Sequence, residues 1–366
     1  MTVGFHAPLP PAASGVAAYA ATLLPALWEW GEVSPGALDA DVHLYHLGNN
    51  QLHQEIYRRA LERPGVVVLH DAVLHHFLLG SLDREAYIEE FVHNYGEWHR
   101  TLAAELWTAR TRSGADPRYF RYPMLRRIAE ASRALIVHNP AAVKMVLAHA
   151  PAARVHEVPH LWTALPPFTE TERLRLKQRL GIPPLSHVFA VLGHLRESKR
   201  LPTVLRAFDW VRRQGVEATL LVAGRFVSPH LERAVAPCLN RPDIVRIGDT
   251  PDAEFWRLAA LADTCINLRN PSAGETSGIA VRLMGLAKAV ILTESEEVSR
   301  FPDDACLRVA PGVAEQAELG HYMILLARSP ELAGEIGRRA AAYIQTRHAV
   351  ENVAGAYWEI LKACED

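Results

Sequence analysis

The chain has 366 residues, of which 49% are hydrophobic and 22% are charged, a composition typical of a globular protein with a substantial core. This length is about twice that of an ordinary domain, so we expect two domains. The formal net charge of -2 excludes a general electrostatic attraction to nucleic acid or to anionic membranes, although a local basic patch stays open.

The first residues and the cysteines predict a cytoplasmic protein. Residues 1–6 lack a basic segment followed by an apolar one, so no secretory signal is expected. The sequence contains no run of 18 apolar residues, so no transmembrane segment is expected. Peripheral contact with a membrane stays open. The four cysteines form no C-x-x-C pair, which favours buried thiols over a disulfide framework or a zinc site.

Short apolar runs alternate with amphipathic segments along the chain. The apolar runs that predict buried parallel strands are 66–69, 134–137, 188–192, 219–223 and 264–268. Helices are expected between them, for example over 203–213, where apolar residues recur at helical spacing. This alternation predicts a doubly wound α/β architecture.

Residues 159–171 separate two such series of strands and helices. The segment contains Pro159, Pro166 and Pro167 and has no clear periodicity, as is usual for a linker. We therefore place the domain boundary at residue 165, with one domain over 1–165 and a second over 166–345.

Ligands of open α/β sheets bind beyond the carboxyl ends of the strands, so the residues after each predicted strand are candidate contacts. After the first strand, Ser14 can cap a helix that begins at Gly15 and ends near residue 30. Gly15 leaves the N–H groups of that helix start accessible to an anion. A plain strand–loop–helix turn explains both residues equally well.

The strand 66–69 ends in His70 and Asp71. His70 is either a ligand contact or an ordinary polar residue at a strand end. Asp71, His75 and His76 could together hold a metal ion, but their spacing matches no known zinc motif. We therefore favour surface or capping roles for His75 and His76.

The strand 188–192 is followed by Gly193 and a cluster of cations. Gly193 permits a tight turn, and Arg196, Lys199 and Arg200 precede the next helix. Three cations can neutralise a diphosphate, since Arg offers forked hydrogen bonds and Lys a point charge. A solvated basic loop is the alternative.

The strand 264–268 is followed by a loop of small residues and then an apolar helix. Successive backbone N–H groups at a helix start can hold phosphate oxygens. A carboxylate would repel such an anion, so Glu275 is expected to accept hydrogen bonds from sugar hydroxyls; the alternative is a first-turn residue favoured by the helix dipole. The residues expected at this site are Gly274, Glu275, Thr276, Ser277, Gly278 and Ile279.

At these four places together the sequence resembles the retaining glycosyltransferases of family four. The resemblance covers nearly the whole chain and is strongest over 188–293. It implies the GT-B fold, in which two Rossmann-like domains face across a cleft. It also implies that residues 346–366 form a helix that crosses back to pack on the N-terminal domain.

The resemblance assigns roles to single residues. Ser14 and Gly15 match a glycine-rich loop, and His70 matches a histidine near the transferred sugar. Gly193 through Lys199 match a loop that contacts the donor diphosphate. His194 stands where the family usually has an arginine, so Arg196 is expected to replace it.

The family's paired-glutamate signature is only half present. Glu275 matches the first glutamate, and Gly278 with Ile279 matches the backbone that holds phosphate and sugar. The second glutamate, which binds the ribose in the family, falls on Leu283. We expect Arg282, beside it, to replace the ribose-binding carboxylate.

The resemblance implies transfer of a sugar, expected to be a hexose, from a nucleotide-diphosphate sugar with retention. The acceptor would be a glycan, a lipid-linked compound or a small molecule, and neither a metal nor a further cofactor would be needed. Glu275 and His70 would contact the sugar. The alternatives are a nucleotide-sugar-binding protein with little or no transfer activity, an epimerase, or a metal-dependent hydrolase using Asp71, His75 and His76.

Overall fold

A computed structural model describes residues 1–365, and the chain divides into two compact units. The first unit comprises Met1–Leu161, Pro271–Thr276 and the C-terminal segment from His348 onward. The second comprises Trp162–Asn270 and Ser277–Arg347. The change of unit at residue 161 lies close to the predicted boundary at 165. By contrast, the sequence did not predict that 271–276 would group with the first unit.

The first unit contains a six-stranded parallel sheet in the order β2-β1-β3-β4-β5-β6. Its strands are β1 (Thr2–His6), β2 (Glu32–Pro35), β3 (Val42–Leu47), β4 (Val66–Leu69), β5 (Ala134–Val137) and β6 (Val155–Glu157). Its helices before residue 161 are α1 (Gly15–Trp28), α2 (Gln54–Glu62), α3 (His75–Ser81), α4 (Arg84–Tyr95), α5 (Arg100–Ala109), α6 (Arg118–Arg121), α7 (Arg126–Ala131) and α8 (Pro140–His149).

Both faces of this sheet are covered, as the continuous apolar strands require. Alternate side chains of β4 enter different clusters: Val67 and Leu69 pack with one, Val66 and Val68 with the other. All six residues of β3 are buried, yet two histidines and a tyrosine interrupt its apolar pattern. The sequence analysis therefore missed β3.

Two separate helices follow α3. The first, α4, ends at Tyr95, and α5 begins at Arg100. Gly96 between them has a φ of 88°, which an α-helix cannot accommodate. The glycine therefore separates α4 from α5.

The second unit contains another six-stranded parallel sheet, in the order β12-β11-β10-β7-β8-β9. Its strands are β7 (His187–Leu192), β8 (Ala218–Ala223), β9 (Ile244–Ile247), β10 (Thr264–Asn267), β11 (Ala289–Thr293) and β12 (Leu307–Val309). Its helices are α9 (Glu170–Arg179), α10 (Leu201–Arg213), α11 (Pro229–Leu239), α12 (Asp252–Leu261), α13 (Gly278–Gly285), α14 (Glu315–Arg328) and α15 (Pro330–Arg347). The two parallel sheets confirm the predicted α/β class.

The last helix, α16 (Val350–Lys362), belongs to the first unit. It packs beside α1, and the hydroxyls of Tyr357 and Tyr19 lie 2.9 Å apart. Three of the cysteines are buried free thiols, whereas Cys238 is exposed, so the expectation of buried thiols was wrong for that residue. Over residues 1–365, no helix is both long and apolar enough to cross a membrane.

Candidate functional site

In the second unit, the loop after β7 and the first turn of α13 come together. Gly193 has a φ of 89°, and a Cβ there would lie 2.3 Å from Cδ1 of Ile279 and 3.5 Å from Nζ of Lys199. The Lys199 ammonium is buried and donates a hydrogen bond to the Leu192 carbonyl. Three residues singled out in the sequence are therefore neighbours at the carboxyl end of β7.

The start of α13 is fixed by Ser277. Its hydroxyl oxygen accepts a hydrogen bond of 3.2 Å from the Ala280 N–H, as an N-cap should. The Arg269 guanidinium donates to the same oxygen at 3.2 Å, and the Ser277 hydroxyl donates to Oδ1 of Asn267 at 3.3 Å. The first N–H groups of a helix have no partner within the helix, so this turn suits an anion.

Arg269 received no role in the sequence analysis, although it lies two residues beyond the end of β10. Its place after a strand was the signal that could have identified it, because ligands gather at that edge of an open sheet. Its hydrogen bond to the cap of α13 adds a guanidinium beside the candidate anion site.

Further cations surround His194. Burial lowers the pKa of this imidazole, and the charges of Arg196, Arg225 and Lys199 lower it further, with Asp249 opposing. Arg196 and Arg225 are both exposed and follow β7 and β8. The sequence analysis did not identify Arg225, although it too follows a buried strand.

Arg200, counted in the predicted cation cluster, has a structural role. Its Nε and Nη2 donate to Oε2 of Glu315 at 3.0 and 2.6 Å, and the Glu315 carboxylate is buried. Removing Arg200 would leave that charge buried without its partner, which is costly. We therefore exclude Arg200 from the candidate anion site.

The position of the family's second glutamate holds a residue of the hydrophobic core. Leu283 is 1% exposed and packs in an apolar cluster of the second unit. The guanidinium carbon of Arg282 lies 4.9 Å from the centre of the Trp256 ring. Burial lowers the pKa of Arg282, and Asp252 in the first turn of α12 opposes this. The side chain of Arg282, which belongs to α13, therefore packs against the first half of α12.

In the first unit, the Glu275 carboxylate forms hydrogen bonds within the loop that contains it. Its Oε2 accepts hydrogen bonds from the Ala273 N–H at 2.7 Å and from the Ser272 hydroxyl at 3.3 Å. Gly274 has a φ of 71°, and a Cβ there would lie 2.8 Å from Cβ of Ala72. The loop is thus packed closely against the first unit.

His70 is buried in a chain of histidines. Nδ1 of His138 lies 2.9 Å from the Val158 carbonyl and must donate to it. In a neutral ring Nε2 then accepts, here from Nδ1 of His70 at 3.3 Å. Nε2 of His70 in turn accepts from Nδ1 of His46 at 3.0 Å.

The three imidazoles of this chain are neutral. Burial lowers the pKa of His46 to about 3 and that of His138 to about 4, and it holds the pKa of His70 well below its usual value. Both ring nitrogens of His70 are already bonded to protein. The sequence analysis missed this chain because its members are 24 and 68 residues from His70.

The residues of the alternative metal site have other partners. Nδ1 of His75 bonds the Tyr122 carbonyl at 2.9 Å and Nε2 lies 2.7 Å from the Tyr87 hydroxyl. Asp71 accepts a hydrogen bond from the Asn49 N–H. Within the described residues, no three His, Cys, Asp or Glu side chains are arranged to hold a metal ion. These contacts weigh against a hydrolase built on Asp71, His75 and His76.

The loop after β1 keeps both of its interpretations. The Ser14 hydroxyl accepts a hydrogen bond of 3.1 Å from the Ala17 N–H, so it caps α1 as predicted. A Cβ at Gly15 would meet no atom within 4 Å. The helix start is therefore accessible, but its structure is also that of an ordinary turn.

The fold matches solved structures of GT-B glycosyltransferases along almost its whole length. Anabaena HepE, crystallised with UDP and glucose, is 12% identical with a TM-score of 0.65, covering 99% of this chain and 100% of its own. Sucrose-phosphate synthase from Thermosynechococcus elongatus is 13% identical with a TM-score of 0.66, covering 99% and 98%. WaaG, a glycosyltransferase of lipopolysaccharide biosynthesis, is 14% identical with a TM-score of 0.60, covering 98% and 99%.

The sequence matches no family model and no curated protein. At such low identities the structural matches establish the GT-B fold alone, and function has to be argued from the site.

Proposed function

We propose that the protein is a glycosyltransferase whose nucleotide-diphosphate-sugar donor binds at the carboxyl ends of β7 and β10 in the second unit. The observation that supports this most is the meeting of Gly193, Lys199 and the first turn of α13. Backbone without side chain, a buried ammonium and a helix start together suit a diphosphate. The solved structures of the same fold that contain UDP, glucose or UDP-glucose add support by analogy.

Lys199, Arg196 and the N–H groups at Gly278 and Ile279 would stabilise the charge that develops on the leaving phosphate. Removing one such preorganised donor raises a barrier by roughly 2.7–4 kcal/mol in other enzymes. Because these groups neutralise the diphosphate, the reaction needs no metal. Activity that survives a chelator is the expected result.

Glu275 would orient sugar hydroxyls. Retention of configuration is implied by the family resemblance. It would follow if the acceptor oxygen attacked the anomeric carbon from the face that the diphosphate leaves, its proton passing to the leaving phosphate. The acceptor is a glycan, a lipid-linked compound or a small molecule. His70 acts as a neutral, fixed part of the sugar site, since both of its ring nitrogens are bonded within the protein. With Leu283 buried, Arg282 would donate to the ribose oxygens in place of a carboxylate.

Thermal unfolding with a panel of nucleoside diphosphates and nucleotide sugars tests the donor site. A ligand at 100 times its dissociation constant stabilises the folded state by about 2.7 kcal/mol. We expect at least one ligand to raise the melting temperature of the wild type and of the control Lys362→Ala, but not of Lys199→Ala. Lys362 is exposed on α16 in the first unit and bonds Glu359 on the same helix.

Stabilisation of Lys199→Ala equal to that of the wild type would remove Lys199 from the site, and no stabilisation by any ligand would contradict the proposal. A second candidate is a protein that binds a nucleotide sugar without transferring it, which the apolar residue Leu283 favours. Tight binding with neither transfer nor slow donor hydrolysis would support that candidate.

A further inference from the structure

Asn139 lies two residues after the end of β5 and forms hydrogen bonds to the loop that contains Glu275. Its amide nitrogen donates hydrogen bonds of 3.0 Å to the Gly274 carbonyl and of 3.0 Å to the Thr276 hydroxyl oxygen. Its amide oxygen accepts a 2.9 Å hydrogen bond from the Ala142 N–H and so caps α8. The side chain is 2% exposed.

These three hydrogen bonds use both N–H donors of the asparagine amide and one lone pair of its oxygen, which fixes the amide in one orientation. The oxygen must face the Ala142 N–H, so the two N–H groups point to the loop. An aspartate of the same shape would keep the cap and place an oxygen against the Gly274 carbonyl. Among residues of this size, asparagine alone supplies one acceptor to the helix and two donors to the loop.

The neighbouring residue, His138, connects the same loop to the histidine chain. The Thr276 hydroxyl donates a hydrogen bond of 3.1 Å to the His138 carbonyl. The His138 ring accepts from His70 at 3.3 Å. His138 therefore connects the Glu275 loop to His70 within the first unit, through its carbonyl on one side and its ring on the other.

We infer that Asn139 is a positioning residue that holds Glu275 in place for its contact with the donor sugar. The inference rests on the proposed function. Because Asn139 bonds the residues on either side of Glu275, the loss of its two donors would release the loop from both sides. A reacting group misplaced by about 1 Å can lose roughly 100-fold in rate, without any change at a phosphate site in the second unit.

The variant Asn139→Asp tests this assignment, because it preserves the acceptor of the helix cap. We expect the turnover of the nucleotide sugar to fall by about 100-fold, whereas the dissociation constant of the nucleoside diphosphate stays at its wild-type value. Asp83→Ala is the matched control, since Asp83 caps α4 through the Ala86 N–H in the same unit and does not bond the loop. It should leave turnover unchanged.

Hydrogen–deuterium exchange supplies a measurement that does not depend on activity. In Asn139→Asp the amides of residues 273–276 should exchange faster than in the wild type, and in Asp83→Ala they should not. Unchanged exchange in Asn139→Asp, or faster exchange with unchanged turnover, would overturn the assignment. Equal losses of turnover and of nucleotide affinity would do so as well. A wild type that binds no nucleotide would instead contradict the proposed function and leave the exchange test of the loop valid.

Discussion

Gly193 occupies a position at which a side chain would displace the end of the Ile279 side chain in the first turn of α13. A methyl group there would lie 2.3 Å from Cδ1 of Ile279. The alanine that carries it would also have to adopt an unfavourable positive φ. We expect Gly193→Ala to weaken nucleoside diphosphate binding at least tenfold, because a tenfold change needs only about 1.4 kcal/mol. Isothermal titration calorimetry measures this directly.

Gly215 provides the control for Gly193, since its φ is 74° and a Cβ there would meet no atom within 4 Å. Gly215→Ala should therefore share the backbone strain and bind nucleotide like the wild type. Equal affinities of the two variants would show that the approach of Gly193 to α13 does not shape the site.

The carboxylate of Glu275 is expected to act on the sugar rather than on the phosphates. Glu275→Gln retains the size of the side chain and an acceptor oxygen for the Ala273 N–H, but it removes the charge. Turnover of the nucleotide sugar should fall far more than nucleoside diphosphate affinity. Steady-state kinetics and calorimetry on the same preparation compare the two, and equal losses would mean that Glu275 has no role at the sugar.

Single residues differ in how far the sequence predicts them. Lys199 and Ser277 follow strands in a recognisable pattern, and the structure places each beside a helix start or cap. The partners of His70 could not be found in this way, because β3 and the residue that follows β5 supply them from distant parts of the chain. Arg200 was misread for a similar reason, since its partner Glu315 lies on another helix.

At the scale of elements, α13 depends on its cap. Ser277→Ala removes the hydroxyl that accepts hydrogen bonds from Ala280 and Arg269 and donates one to Asn267. We expect a loss of about 1 kcal/mol in the free energy of unfolding, as for other N-caps. Nucleoside diphosphate affinity should also fall, because the first turn of α13 would no longer be fixed.

The control is Ser228→Ala, which removes the cap of α11 in the same unit through a hydrogen bond of equal length, 3.2 Å. Denaturant unfolding should show a similar destabilisation of both variants, while calorimetry should show weaker nucleotide binding only for Ser277→Ala. Unaltered affinity in Ser277→Ala would separate α13 from the binding site.

Elements were predicted well where their pattern was purely apolar. The strands β4 and β5 begin and end where their runs of apolar residues do. The predicted start of α10 was two residues late, and β3 was missed altogether. In both cases, contacts with residues distant in the sequence decide which side chains are buried. Local periodicity does not indicate those contacts.

At the scale of the whole molecule, buried histidines make stability depend on pH. Burial lowers the pKa of His6, His53 and His138 to about 4 and that of His46 and His75 to about 3, from an ordinary value of 6.5. Above pH 6.5 the rings are neutral in both states, so stability is at its full value. Below it the unfolded chain binds protons that the folded chain does not.

Each such histidine removes up to about 1.4 kcal/mol per pH unit between pH 6.5 and its folded pKa. Several of them together can lower the free energy of unfolding by an amount comparable to its typical total of roughly 5–15 kcal/mol. We therefore expect the melting temperature to fall steeply from pH 6.5 to pH 4, and the first unit, which contains these five histidines, to unfold before the second. Differential scanning calorimetry across this range checks both, and a constant melting temperature would contradict the buried neutral chain.

The length of the chain and its alternation of apolar runs with amphipathic segments predict two α/β domains, and the two parallel sheets agree with the α/β class. It does not predict that residues 271–276, between segments of the second unit, group with the first. Within the first unit, Asn139 donates hydrogen bonds to Gly274 and Thr276 of this segment, which are 135 and 137 residues away in the sequence. No pattern local to either segment reveals them.

The most direct test of the account is whether the protein consumes a nucleotide sugar. The release of nucleoside diphosphate and the fate of the sugar would be followed together for a panel of donors, with Lys199→Ala and Lys362→Ala alongside the wild type. The account predicts that the wild type and Lys362→Ala consume at least one donor, by transfer or by slow hydrolysis, and that Lys199→Ala consumes far less. Donor binding without consumption, or equal consumption by Lys199→Ala, would contradict it.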